Sequence, residues 1–95
     1  MAKFVFSFRG LPDSTPSAED EAAWGKWFDK IGPSIADFGN RVGETRRVGA
    51  CSSQDVLAGY IVVNSDNLSE AAALAEGCPG LRQGGGVEIG QVVAP

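Results

Sequence analysis

Ninety-five residues with a formal net charge of −4, 43% of them hydrophobic and 21% charged, predict one small domain over residues 1–95 rather than a disordered chain. The acidic balance argues against a nucleic-acid partner, no apolar run reaches the ~20 residues that span a bilayer, and histidine, the commonest general base and metal ligand, is absent. Cys51 and Cys78 are too few for a disulfide framework and form no Cys-x-x-Cys pair, so a reduced chain without metal or cofactor is expected. The segment MAKFVFSFRG lacks the apolar core of a signal peptide, which makes the cytoplasm the expected location and a membrane partner unexpected.

In chain order, residues 3–9 alternate, with Phe4, Phe6 and Phe8 on one side and Lys3, Val5, Ser7 and Arg9 on the other, the pattern of a half-buried strand. GLPDSTP follows as a loop. Ser17 then predicts a helix N-cap, answered by Asp20 three residues on. Trp24, Phe28, Ile31, Ile35 and Phe38 fall on one helical stripe, with Trp27 at its edge and the more exposed of the two tryptophans. Gly32-Pro33 interrupts the stripe. Because the apolar phase continues beyond it, the pattern predicts one kinked helix that ends at Gly39-Asn40.

RVGETRRVG, residues 41–49, reads as a polar edge strand, with Arg41, Arg46 and Arg47 as charge that discourages stray pairing or binds an anion. ACSSQD is a turn. VLAGYIVVN, residues 56–64, is apolar at nearly every position and so predicts a strand covered on both faces. Asn67 and Glu70 open a second helix with Leu68, Ala71, Ala72 and Ala75 inward, and Gly77 and Pro79 stop it. Cys78 reads as a packing residue. Residues 86–93 form the last strand, with Val87, Ile89 and Gln91 on one side and Glu88, Gly90 and Val92 on the other.

Strand, helix, strand, strand, helix, strand is the ferredoxin-like α+β order: a four-stranded antiparallel sheet with both helices on one face. The opposite face of the third strand then needs cover, and a second copy packed sheet to sheet supplies it, so a homodimer is expected. If the three phenylalanines pack under the helices, Ser7 and Arg9 point to the inter-sheet side, where Tyr60 and Glu88 join them. Arg9, Tyr60 and Glu88 are thus the candidate acid/base and anion-holding groups, and Ser7, Arg9, Trp27 and Tyr60 the candidate ligand contacts. The competing reading of the same residues is a structural Arg–Glu pair with a hydrogen-bonded tyrosine. Gly84-Gly85-Gly86 follows a helix and leads into a strand, the reverse of a phosphate-binding loop, and reads as a connection. Cys51 has no histidine to activate it.

AAWGKWF…IG in the first helix, LAGYIVVNSDNLSEAAALAEGCP across the third strand and second helix, and GGGVEIGQV at the end together resemble the YCII-related (DGPF-type) family. ACSSQDV stands where that family has Asp-Gly-Pro-Phe. The resemblance implies a ferredoxin-like fold of the dimeric α/β-barrel superfamily, with a cavity between two sheets that is expected to hold a small organic ligand. A His-Asp pair proposed as catalytic in some members has no counterpart here. The alternatives are an enzyme that uses acid/base residues in the cavity, and a protein-interaction module associated with transcriptional regulators.

Overall fold

Alternation of phenylalanine with small or polar residues gives β1 (Ala2–Gly10) two unlike faces, and the rest of the fold is arranged around that difference. A computed structural model describes residues 1–12, 15–52 and 54–94. Asp13 and Ser14 of the predicted loop and Ser53 of the predicted turn lie outside the described residues. After β1 come α1 (Ala18–Ile31), β2 (Ile35–Arg41), β3 (Val56–Ser65), α2 (Leu68–Ala75) and β4 (Gly86–Gln91). Short 3-10 turns at Gly32–Ser34 and Pro79–Arg82 follow the two helices. All pairings are antiparallel and the strand order is β2-β3-β1-β4, which is the ferredoxin-like α+β arrangement expected.

The register sorts the faces. Phe4, Phe6 and Phe8 stand beside Gln91, Ile89 and Val87 of β4, and Phe4 and Phe6 beside Val63 and Ile61 of β3. This face meets Trp27 and Ile31 of α1 and Ala71 and Ala75 of α2 in one buried cluster. The alanines let α2 approach closely, whereas Leu68, expected to point inward, is exposed at the start of the helix. The opposite face carries a transverse row, Asn40–Tyr60–Ser7–Glu88, one residue from each strand. Beside it, Val5 and Val62 are cross-strand neighbours, both partly exposed.

Both helix starts form as the sequence indicates. Ser17 Oγ accepts from the Asp20 N–H at 3.1 Å, and the Asp20 carboxylate accepts from the Ser17 N–H at 2.9 Å. Asn67 Oδ1 accepts from the Glu70 N–H at 2.8 Å.

The kinked helix does not form. α1 stops at Ile31, and Pro33, which has no N–H to give to the Asp29 carbonyl, opens the 3-10 turn instead. The chain leaves that turn extended, so Ile35 reaches the core as a strand residue paired with Val63, and Phe38 is 67% exposed. Helical phase and strand position agree at Ile35 by coincidence. The polar edge strand is therefore not 41–49 but β2, and Arg46 and Arg47 lie on the connection 42–55. The last strand ends at Gln91, although the Val92 N–H still donates to the Lys3 carbonyl at 2.9 Å.

Trp27 also departs from expectation. It is 5% exposed, deeper than Trp24, because its indole N–H reaches the Leu74 carbonyl at the end of α2 (3.3 Å) while its ring stacks on Phe6. Cys78 is buried in the same core, as the packing reading requires. Burial pushes its thiol pKa up, a shift that backbone hydrogen bonds from Gly80 and Leu81 partly oppose. The folded pKa thus lies above the unfolded one. The contribution of this group is complete below the unfolded thiol range and is lost as pH rises through it. Denaturant midpoints are expected to fall between about pH 8 and pH 10 in the native protein and to fall less in Cys78→Ala.

Candidate functional site

Beside α1, the last residues of β1 and β2 and the first of β3 border an open cleft of about 890 Å³. Its helix wall is aromatic. Trp24 and Phe28, one helical turn apart, lean on Phe8, with Phe8 and Trp24 edge to face at 5.0 Å and the Trp24 and Phe28 centroids 5.8 Å apart. Its strand wall is formed by residues 38–43 and 56–61, among them Tyr60 and Asn40. The segment after α2 closes a third side with Gly80 and Gln83.

Glycines decide how close these walls come. Gly39 has φ +59°, and a Cβ there would lie 1.9 Å from the Tyr60 carbonyl oxygen, so only glycine lets β2 meet β3 at this point. Its N–H donates to Asp37 Oδ1 at 2.7 Å, which fixes the irregularity that separates the Asp37 and Asn40 pairings. At Gly85 a Cβ would lie 2.5 Å from the Arg9 carbonyl oxygen. Gly85 thus lets the start of β4 lie against the end of β1, and the glycine run connects the segment after α2 to that strand.

Polar groups on the cleft are few and held in place. The Trp24 indole N–H donates to Gln83 Oε1 at 3.1 Å, and Asn40 Nδ2 donates to the Tyr60 hydroxyl at 3.2 Å. Arg9 Nε donates to Asp55 Oδ1 at 2.7 Å. That bond, opposed by desolvation and aided by the charges of Asp55 and Glu88, holds the guanidinium pKa above its ordinary value. Arg47 donates to the Asp55 carbonyl, so one residue ties the 42–55 connection to β1 and to the start of β3. At the mouth, Arg41 on β2 faces Glu21 on α1 across 3.7 Å. Both side chains are exposed, so the pair adds little stability.

Of the residues named from sequence, Arg9 and Tyr60 border the cleft. Ser7 and Glu88 do not: they lie in the transverse row on the open sheet face, with Ser7 between Tyr60 and Glu88. Trp27 is a core residue, because α2 covers the edge of the helical stripe that sequence alone leaves bare. Asn40, Asp55 and Gln83 were missed. Asn40 sat in the helix cap of a kinked helix, Asp55 in a turn, and Gln83 in a polar run whose distance from Trp24, 59 positions, gives no local signal.

No family model matches the chain, and no curated protein matches it. Among solved structures, 5-chloro-2-hydroxyhydroquinone dehydrochlorinase (TftG) from Burkholderia phenoliruptrix AC1100, in complex with 2,5-dihydroxybenzoquinone, superposes with a TM-score of 0.68 at 14% identity, over 98% of this chain and 95% of that one. No helix among the described residues is long and apolar enough to cross a membrane. The likeness is one of fold, and the fold it shows is the ferredoxin-like α+β arrangement of four antiparallel strands and two helices.

Proposed function

We propose that this chain is a homodimeric module of the YCII-related (DGPF-type) group that binds a small planar organic molecule in the cleft beside α1. The observation that carries this reading is the cleft itself: about 890 Å³, walled by Trp24, Phe28 and Phe8, with the Gln83 amide fixed on the Trp24 indole. Its size and its mix of aromatic surface with sparse hydrogen-bonding groups are those of small-molecule sites. The superposed dehydrochlorinase holds 2,5-dihydroxybenzoquinone, which makes that quinone a reasonable first probe. Calorimetric titration is expected to give saturable binding with one site per chain, and Trp24→Ala to weaken it about tenfold by removing the largest ring on the wall. A flat titration with this quinone and with other hydroxylated or carboxylated benzenes would exclude the reading.

Dimerisation is supported by the open sheet face. Val5 and Val62 stand side by side at its centre and stay partly exposed, with Ala58 exposed nearby. Helices cover the other face only. A second copy laid sheet to sheet hides these groups and brings Ser7 and Glu88 of the transverse row, with Tyr60, into a shared interior. Sedimentation at micromolar concentration is expected to give twice the chain mass. Val5→Asp with Val62→Asp is expected to give a folded monomer, since the substituted side chains leave the helix-side core untouched.

A further inference from the structure

Glycine inside a helix lowers the folding equilibrium about fivefold relative to alanine, so its presence there points to a use of the space or of the backbone that a side chain would deny. Close approach is that use elsewhere in this chain: an added Cβ would lie 3.0 Å from the Trp24 ring at Gly80, and 3.3 Å from the Trp27 ring at Gly77. Gly25 is different. It sits in the middle of α1, it is not among the glycines with positive φ, and no atom lies within 4 Å of a carbon added to it. Neither packing nor backbone conformation calls for glycine there, yet Gly25 lines the cleft. Glu21 and Phe28, four residues before it and three after, lie on the same side of α1 and line the cleft as well. Arg41 of β2 reaches Glu21 at 3.7 Å, so this side of the helix faces the strand wall. The bare backbone at Gly25 thus lies between Phe28 and the Glu21–Arg41 contact, about 6 Å along the axis from Glu21.

We infer that Gly25 is the specificity-determining floor of the ligand site: a flat ring, aromatic or quinonoid, rests with its face on the helix backbone at Gly25 and its edge toward Phe28. Carbon atoms in contact sit about 3.5–4.0 Å apart, and a side-chain carbon at position 25 would stand in that layer. The helix gives up stability for binding surface, a trade found where function needs a locally unfavourable residue. The inference rests on the ligand-cleft reading above and adds to it the residue that sets the depth of the site and the face of the ligand that it meets.

Gly25→Ala tests it, because stability and binding are expected to move in opposite directions. Chemical denaturation is expected to show a higher midpoint, the folding equilibrium about fivefold more favourable. Calorimetric titration with 2,5-dihydroxybenzoquinone and with benzoate is expected to show binding about tenfold weaker than in the native protein. Gly25→Leu, another good helix former, is expected to raise the midpoint as well and to weaken binding at least about a hundredfold, since its side chain fills the space over the helix. Lys26→Leu, at an exposed neighbour outside the cleft lining, is expected to leave affinity unchanged. Gly25→Ala carries the test alone should Gly25→Leu unfold. Two results overturn the inference and leave the cleft reading standing: a probe that binds the native protein and the folded Gly25 variants equally, or a Gly25→Ala protein less stable than the native one. If neither probe binds the native protein, both readings fall.

Discussion

Phe6→Ala is expected to cost about 3–5 kcal/mol, read as a lower denaturant midpoint with little change in slope. Phe6 is fully buried on the central strand, flanked by Ile61 and Ile89 and stacked on Trp27, so its removal leaves a void bounded by the sheet and both helices. Folded domains hold about 5–15 kcal/mol in total, so the variant keeps at best a marginal fold. Phe38→Ala supplies the contrast. The helical stripe places Phe38 in the core, but on β2 it is 67% exposed, and its loss is expected to change stability by no more than about 0.5 kcal/mol. Equal destabilisation by the two substitutions would mean that α1 continues past Pro33 after all.

Gly39→Ala is expected to cost at least about 2 kcal/mol, through two effects that act together. The left-handed backbone at φ +59° strains any L side chain, and the added carbon would fall 1.9 Å from the Tyr60 carbonyl oxygen. Relief requires β2 to move away from β3, which carries Asn40 off Tyr60 and opens the strand wall of the cleft. Ligand affinity is therefore expected to fall along with stability. Gly43→Ala, on the same wall but with no atom within 4 Å of the added carbon, is expected to be neutral within about 0.5 kcal/mol. Indistinguishable melting of the two variants would contradict the close strand contact at Gly39.

Period-two alternation at Phe4, Phe6 and Phe8, the caps at Ser17 and Asn67 and the apolar run of β3 made the order of elements and the covered sheet face legible in the sequence. Each is a local pattern with a local cause. What misled lies at Gly32-Pro33, where apolar spacing that fits a helix also fits a helix, a turn and a strand at the one residue, Ile35, that decides between them. Trp27 shows a second limit: burial at the edge of a helical stripe depends on what packs beside it, and here α2 supplies that cover from more than forty residues away. The site was half legible for the same reason. Arg9 and Tyr60 were marked by polarity within apolar strands, whereas the partners that orient the cleft, Gln83 for Trp24 and Asn40 for Tyr60, meet them only through the tertiary fold.

Because β1 precedes β3 and β4 in the chain yet lies between them, bonded on one side to β3 and on the other to β4, neither of its edges can be satisfied until those strands are made. Its three phenylalanines stay uncovered on the ribosome until β4 has emerged, and the nascent polypeptide exposes the apolar side of this strand throughout that interval. A holdase that shields β1 during synthesis should therefore raise the yield of native protein more than one acting after release.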